Sequence, residues 1–380
     1  MASSRDPDKP GGFWQRLKGR AADAPAEGPA TARPAATAPP LDLRDFELGA
    51  EIGRGAMAVV HKATQRSTGR QVAVKRLALS REFSVEDLAD VRERFMREAR
   101  AARQLEHADI LQVIDAGQDG KDAWIALEYV LGRDLSLFTR PGQLLPVREV
   151  VQIGVRLARA LAYAHTQGVV HRDIKPANVM LDRVNGGLKL MDFGIARMGD
   201  GSRTRTGLVL GTPSFMSPEQ LAGLKVDGRS DLYSLGVLLY QLLCGVLPHQ
   251  SETMAGLMQQ IATQRPADIR SHRPELPESL ALVLALVLEK RPELRYASGE
   301  HLAQDLEAVI VMHLQARAGE PGEPAAAPQD TAFAQTVRLA LQEPQDTAFA
   351  QTIRLRPEEA GQNRRSAAPP GEPHESPQAT

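Results

Sequence analysis

Cysteine, net charge and long apolar runs are all scarce in this chain of 380 residues. The one cysteine, Cys244, excludes an internal disulfide framework and any zinc or iron–sulfur site built on cysteines. Because its neighbours are mostly apolar, we expect a buried structural thiol rather than a nucleophile. Lysine and arginine total 46 against 47 aspartates and glutamates, so bulk charge gives no reason to bind nucleic acid or an anionic membrane.

The longest apolar runs have the length of buried core helices. Residues 235–243 and 280–288 fall far short of the roughly 20 residues that a membrane helix needs. The first residues of the chain contain no apolar signal core. We therefore expect no membrane span and a cytoplasmic, reducing location.

Composition divides the chain into three parts. Residues 1–40 hold ten alanines and seven prolines, which predicts a disordered arm. Within it, residues 13–20 are either a short docking or membrane-surface element or an incidental cluster. Residues 41–314 are patterned throughout, and residues 315–380 return to a composition that predicts a disordered tail.

The tail contains a tandem repeat. Residues 328–339 recur as residues 344–355, and only Val337 changes, to Ile353. Two polar copies are too few for a solenoid, which needs about three stacked units to build a core. We interpret them as tandem linear motifs.

The patterned section begins with strands. Short β-type runs at 48–52, 58–63 and 71–77 precede a helix, for which Ser84 and Asp87 have capping-box spacing. The apolar stripe of that helix is Leu88, Val91, Phe95, Ala102 and Leu105. Two further strands are expected between residues 117 and 129.

Helical patterns dominate from Pro146 onward. The first of these helices has the apolar face Val150, Ile153, Leu157, Leu161 and Ala164, and Gly168 ends it. A small β-rich lobe at residues 41–130 therefore precedes a larger helical lobe at residues 131–314. The predicted fold class is α+β.

The small lobe contains two modest signals of phosphate chemistry. Gly53 and Gly55 stand in a tight link between strands, where backbone N–H groups can approach a phosphate because no Cβ intervenes. A plain hairpin turn explains them equally well. Lys75 lies on the strand that follows, and Glu98 falls inside the apolar stripe of the next helix. A buried carboxylate needs a cationic partner, so we predict a Lys75–Glu98 pair; the alternative places Glu98 at the stripe's edge in water.

The strongest signal lies in the large lobe. It is His171-Arg172-Asp173-Ile174-Lys175-Pro176-Ala177-Asn178, followed by Met191-Asp192-Phe193-Gly194. A predicted hairpin between them returns Asn178 and Asp192 to one point, where hard oxygen ligands suit Mg²⁺. Asp173 is placed to accept a proton from an incoming hydroxyl, and Lys175 to neutralise charge on a transferred phosphoryl group.

These motifs, in this order, resemble the eukaryotic-like (Hanks-type) protein kinases and are most similar to bacterial Ser/Thr kinases. The resemblance covers residues 46–314 and implies a bilobal kinase fold. It implies that Asp173 is the catalytic base, that Lys75 and Glu98 pair to hold the ATP phosphates, and that Asn178 and Asp192 bind Mg²⁺ or Mn²⁺. The implied nucleotide contacts are Ile52, Gly53, Gly55, Val60, Ala73, Lys75, Leu127 as gatekeeper, and Glu128 and Val130 in the hinge. The third glycine of the phosphate loop is replaced by Ala58.

Further family elements follow. The resemblance implies that residues 211–213 seat the substrate hydroxyl, that Asp231 opens a buried central helix and that Arg295 pairs with Glu219. Arg291 departs from the aspartate usual at its position, which weakens the expected support of Arg295. By the same resemblance, Lys175 implies specificity for serine and threonine. It also implies that Lys175 takes part in catalysis together with Asp173.

The resemblance also suggests regulation. Ser202, Thr204 and Thr206 lie in the activation loop, and a phosphate there adds about −1.5 to −2 charge that could dock on Arg172. We predict autophosphorylation at Thr204 and Thr206, with a transient homodimer during the reaction.

The tail repeats could add a second layer. Thr336 and Thr352 each have a leucine three residues on, which resembles phosphothreonine ligands of forkhead-associated domains. An inert duplicated linker is the alternative. The predicted function is transfer of the ATP γ-phosphoryl group to Ser/Thr hydroxyls of protein substrates.

Two other classes share parts of this pattern. A pseudokinase scaffold predicts damage to Lys75, Asp173, Asn178 or Asp192, and all four are intact. A small-molecule phosphotransferase would not need a phosphorylatable loop followed by residues 211–219.

Overall fold

The computed structural model describes residues 41–55, 58–193 and 213–314. The predicted arm, the tail with its repeats, and the four threonines predicted to be phosphorylated lie outside these residues.

A five-stranded antiparallel sheet forms the small lobe. Its strands are β1 (Phe46–Arg54), β2 (Ala58–Gln65), β3 (Gln71–Leu77), β4 (Val113–Asp119) and β5 (Asp122–Glu128), in the spatial order β1-β2-β3-β5-β4. The strands predicted from apolar runs are therefore present. The sheet buries apolar side chains on both faces. On the outer face, the rings of Phe46 and Trp124 pack against each other with their centroids 5.5 Å apart.

Helix α2 (Leu88–Arg103) covers the inner face of the sheet and follows the short helix α1 (Leu79–Glu82). Its predicted apolar stripe is buried throughout, as is Leu105 beyond its end. The predicted capping box is formed only in part, and before the helix begins. The Ser84 hydroxyl accepts from the Asp87 N–H at 3.2 Å and donates to the Asp87 carboxylate at 2.7 Å, but Asp87 makes no side-chain cap.

The large lobe is built on helices. They are α3 (Val147–Thr166), α4 (Pro218–Leu221), α5 (Gly228–Cys244), α6 (Met254–Thr263), α7 (Glu278–Val287) and α8 (Gly299–Val309). The predicted apolar face of α3 is buried, and Gly168 follows its end with φ +74°. Helix α5 is buried along nearly its whole length. Its Gly236 allows α7 to approach, because a Cβ there would lie 2.4 Å from Cγ1 of Val287.

A small sheet lies where the two lobes meet. It consists of β6 (Arg133–Asp134), β7 (Val179–Asp182) and β8 (Gly187–Leu190), paired antiparallel. The predicted hairpin is therefore present as β7–β8. One continuous apolar core runs from the inner face of the five-stranded sheet into the helices of the large lobe.

The runs at 235–243 and 280–288 are packed in the core of the large lobe, as their length predicts. Across the described part of the chain, the helices lack the combined length and hydropathy that crossing a bilayer requires. Cys244 is half-buried, its thiol donates to the backbone oxygen of Tyr240 at 3.1 Å, and burial raises its pKa.

Candidate active site

The β7–β8 hairpin positions two of the predicted site residues. Val179 pairs with Leu190, and the Met191 N–H donates to the Asn178 carbonyl oxygen at 2.8 Å. Asn178 and Asp192, which stand at the two ends of the hairpin, are therefore brought to one point.

Asp173 lies beside this point. Its Oδ2 accepts hydrogen bonds from the Lys175 ammonium at 2.7 Å and from Nδ2 of Asn178 at 2.9 Å. The same Asn178 amide donates to the backbone oxygen of Asp173 at 2.8 Å. Two donors therefore fix the Asp173 carboxylate in one orientation.

Lys75 reaches the same cluster from β3. Its Nζ lies 2.8 Å from Oδ1 of Asp192, across 117 residues of sequence. Both side chains are about one-fifth exposed, at 20% and 23%. The structure thus brings Lys75, Asp173, Lys175, Asn178 and Asp192 together.

The predicted Lys75–Glu98 pair is not formed. Among the ion pairs that join described residues, Lys75 is bound to Asp192 and not to Glu98. Glu98 is half-buried on α2, and its Oε2 is enclosed by protein. Periodicity identified the face of the helix on which Glu98 lies, but not which carboxylate would reach the ammonium first.

The predicted nucleotide-contact residues line up across the small-lobe sheet. Gly53 pairs with Val60, and Val60 pairs with Lys75, so these three positions form one row across β1, β2 and β3. Two residues back along β3, Ala73 pairs with Leu127, and both are buried. Near the end of the row Ile52 is exposed, and the Gly55 N–H donates to the Ala58 oxygen at 2.8 Å.

The hinge end of β5 is attached to the large lobe. Oε1 of Glu128 accepts from the Gln112 N–H at 2.9 Å and pairs with the Lys189 ammonium of β8. Lys189 also donates to the Ile110 oxygen at 3.3 Å. Val130 follows the strand and packs against the core. No sequence pattern indicated the Glu128–Lys189 pair, because both residues resemble ordinary surface charges.

A fully buried carboxylate binds the backbone of the two residues that precede Asp173. Asp231, on α5, accepts from the backbone N–H groups of His171 at 2.8 Å and Arg172 at 2.6 Å. It also lies 2.8 Å from Nε2 of His165. Asp231 is 0% exposed, so its charge is compensated entirely by these contacts.

The backbone is strained at both ends of the cluster. Arg172 has φ +68° and Asp192 has φ +58°, the only left-handed non-glycine residues in the described part of the chain. Such residues persist only where their surroundings over-determine them. At Asp192 this support comes from Phe193, whose buried ring lies 4.6 Å from the His171 ring, while His171 Nε2 lies 2.7 Å from the Met191 oxygen.

The predicted Glu219–Arg295 pair is confirmed. Two bonds of 2.7 and 2.8 Å join the groups, which are 3% and 0% exposed. Burial opposes ionisation of Glu219, but hydrogen bonds and charge from Arg295 hold its pKa below the ordinary value. The unusual residue at 291 does not weaken Arg295, because the carbonyls of Glu289 and Lys290 accept from it at 2.6 and 2.9 Å.

The cluster has the donor set that Mg²⁺ prefers. Because Nδ2 of Asn178 is bound to Asp173, its Oδ1 is on the opposite side of the amide, and Asp192 adds carboxylate oxygens. The described residues contain no group of three or more His, Cys, Asp or Glu side chains arranged for a metal. Mg²⁺ is usually held by one or two protein groups together with phosphates and water.

The family model for the protein kinase domain matches residues 46–306. A probable serine/threonine-protein kinase of Streptomyces coelicolor is 41% identical over 274 residues, covering 70% of this chain and 40% of that protein. The serine/threonine-protein kinase pkn3 of Myxococcus xanthus is 40% identical over 275 residues, covering 70% of this chain and 50% of that protein. This chain matches half or less of the length of these curated relatives.

A solved structure shares the fold. The crystal structure of Rad53 1-466 in complex with AMP-PNP superposes with a TM-score of 0.57 at 24% identity, covering 69% of this chain and 64% of that one. The predicted α+β bilobal fold is therefore confirmed. By the family match, the bacterial relatives and this shared architecture, the chain belongs to the Hanks-type protein kinase family.

Proposed function

We propose that this chain is a Ser/Thr protein kinase that transfers the γ-phosphoryl group of ATP to hydroxyls of protein substrates. The observation that carries the proposal is the convergence of two hydrogen-bonded groups, Lys75 with Asp192 and Asp173 with Lys175 and Asn178. The backbone bond from Met191 to Asn178 holds the two groups side by side. Its relatives support the same function, since they are named as serine/threonine-protein kinases.

Asp173 is the proton acceptor in this proposal. Its Oδ2 is oriented by Lys175 and Asn178, so the carboxylate meets an incoming hydroxyl in a fixed position. Lys175 then places a positive charge beside the transferred phosphoryl group, where charge is redistributed in the transition state.

Lys75 acts on the nucleotide. It shares a row of the sheet with Gly53 and Val60, which places its ammonium beneath the glycine link expected to cover the phosphates. A Mg²⁺ ion held by Asn178 and Asp192 would neutralise phosphate charge there. The Lys75–Asp192 pair keeps both groups at the phosphate position until the nucleotide arrives.

The remaining small-lobe positions form the nucleoside side of the proposed site. Ala73 and Leu127 are adjacent and buried, which provides an apolar contact for a base. Glu128 and Val130 would supply backbone groups of the hinge. Ile52 is 48% exposed at the end of β1, where a bound nucleotide would cover it.

Regulation by phosphorylation is a further part of the proposal. Thr204 and Thr206 would be autophosphorylated, in a transient homodimer, and the phosphate would dock near Arg172. Arg172 supports this because it is exposed and directly precedes Asp173. Phosphorylation of Thr336 and Thr352 would recruit a protein with a forkhead-associated domain, and two copies would raise its avidity.

The test uses the full chain with Mg²⁺ and γ-labelled ATP. Asp173→Asn keeps the shape of the side chain but removes the base, so we expect a 10²- to 10⁴-fold loss of transfer rate. Asp90→Asn, an exposed carboxylate on α2, is the matched control and retains the parent rate. An Asp173→Asn variant as active as the parent would show that the proposed function is wrong.

The same reaction maps the modified residues. Mass spectrometry of the product is expected to show phosphate on Thr204 and Thr206, and Thr204→Ala with Thr206→Ala lowers activity. Unchanged activity of that double variant contradicts activation through the loop. A product without phosphate on Thr336 or Thr352 contradicts recruitment through the tail.

A further inference from the structure

The peptide that leads into Asp173 needs support on both sides. Arg172 has φ +68°, a conformation that costs a non-glycine residue about 1–2 kcal/mol, so neighbouring groups must hold it. Its N–H is held by Asp231 at 2.6 Å. Its carbonyl oxygen accepts a hydrogen bond from Nε2 of Gln220 at 3.0 Å.

Gln220 is a buried residue of α4, 7% exposed and 48 residues from Arg172 in sequence. Its two amide atoms have different partners. Oε1 accepts from the Ser217 N–H at 2.9 Å as part of a capping box, in which the Ser217 hydroxyl accepts from the Gln220 N–H. The cap uses only the oxygen, so the NH₂ group is not needed for capping.

Helix α4 is itself fixed to α5. Glu219, next to Gln220, accepts a hydrogen bond from the Ser230 hydroxyl of α5 and is paired with Arg295. Asp231 belongs to α5 as well. Both polar groups of the Arg172 backbone are therefore connected to the buried helix α5. The N–H is bound directly by Asp231 of α5, and the carbonyl is bound by Gln220 of α4, which is itself attached to α5.

We infer that Gln220 is a positioning residue for Asp173: its NH₂ group holds the left-handed Arg172 peptide and so fixes the direction in which the Asp173 carboxylate points. This inference rests on the proposed function, in which Asp173 takes the proton of the substrate hydroxyl. It also links α4, which follows Ser202, Thr204 and Thr206 in sequence, to the proposed base.

Two substitutions separate positioning from capping. Gln220→Glu keeps the shape and the oxygen that caps Ser217, since glutamate is the common residue at this capping-box position, but it removes the donor to Arg172. Gln220→Met adds no charge but removes both the donor and the Oε1 cap of Ser217, so an effect shared by the two variants is due to the lost donor. Gln304→Glu, an exposed glutamine of α8, is the control for added charge.

The first readout is kinetic. We expect both Gln220 variants to lower the phosphoryl-transfer rate, measured by rapid quench, about tenfold or more, with KM for ATP within about twofold of the parent. Lys75 and Asp192, which meet the nucleotide, are untouched by the change. A purely structural role would instead lower the melting temperature while leaving kcat per folded molecule unchanged.

The second readout does not need catalysis. Hydrogen exchange of residues 171–175 is expected to be faster in both Gln220 variants than in the parent and in Gln304→Glu. Transfer rates within twofold of the parent in both variants, or unchanged exchange in this segment, overturns the inference. If the parent proves inactive but exchange rises as expected, the proposed function fails and the positioning role of Gln220 stands.

Discussion

Two groups of charged residues lie on opposite sides of the segment around Asp173, and they are held in different ways. On the side of α5, here called the lower side, the side chains of Asp231, Glu219 and Arg295 are at most 3% exposed. Asp231 binds backbone N–H groups, and Glu219 and Arg295 bind each other through two bonds. On the side of the small lobe, here called the upper side, Lys75 and Asp192 are joined by a single contact between side chains that are 20% and 23% exposed. Buried charges cannot exchange partners cheaply, whereas part-exposed charges can. The lower side is a fixed reference, and the upper side is free to rearrange around a nucleotide.

The largest effect on stability is expected when an ion pair of the lower side is removed. Glu219→Gln leaves the fully buried Arg295 charge without its carboxylate, so we expect a loss of about 3–5 kcal/mol in the free energy of unfolding. Urea denaturation measures it. A loss below about 1 kcal/mol would show that this pair behaves like a surface salt bridge.

The upper side is expected to respond in activity instead. Lys75→Met removes a cation from the phosphate position, so kcat/KM for ATP should fall about 100-fold or more. Because the Lys75–Asp192 pair is part-exposed, the free energy of unfolding should change by no more than about 1 kcal/mol. A large loss of stability with retained activity would reverse the contrast between the two sides.

A buried lysine gives the lower side a pH dependence. Burial, together with the Arg295 charge, lowers the pKa of Lys290 to about 7 from 10.5. Between these values the unfolded chain binds a proton that the folded chain does not, so the stability contributed at this position rises with pH.

The variant Lys290→Met lacks this response. The free energy of unfolding of the parent minus that of Lys290→Met should therefore rise between pH 7 and pH 10, by no more than about 1.4 kcal/mol per pH unit. Denaturation at pH 7.5, 8.5 and 9.5 measures the difference. A difference that stays flat or falls contradicts the depressed pKa.

The smallest effect is expected where the two lobes are joined. A double-mutant cycle with Glu128→Gln and Lys189→Gln should give a coupling of about 0.5–1 kcal/mol in the free energy of unfolding, because the pair is part-exposed. Both single variants are also expected to raise KM for ATP slightly, since Glu128 belongs to the proposed hinge. Additive effects of the two substitutions would show that the pair is not coupled.

Local patterns predicted much of the fold. The apolar face of α3 and the hairpin between Asn178 and Asp192 followed from periodicity and from the short distance in sequence. The Glu219–Arg295 pair followed from family resemblance, because 76 residues separate the two groups and no local rule links them.

The residue that a side chain binds was harder to predict than the face of the helix or strand on which it lies. Periodicity placed Glu98 on the inner face of α2, yet the Lys75 ammonium is bound to Asp192, because the relative placement of helix and sheet decides between two nearby carboxylates. Ser84 and Asp87 form half of a capping box, with the Asp87 N–H donating to the Ser84 hydroxyl, but this lies in the turns before α2. Gln220 gave no signal, since a glutamine in a short helix is ordinary until its contact with Arg172 is seen.

The half-buried thiol makes the chain convenient for fluorescence labelling. Cys244 is the sole cysteine, and its raised pKa keeps it protonated near neutral pH, so it reacts slowly with maleimides. Cysteines introduced at Val85 and Val184, which are 80% and 91% exposed, should therefore take donor and acceptor dyes selectively. Energy transfer between them would follow opening and closing of the two lobes in real time, without first removing the native thiol.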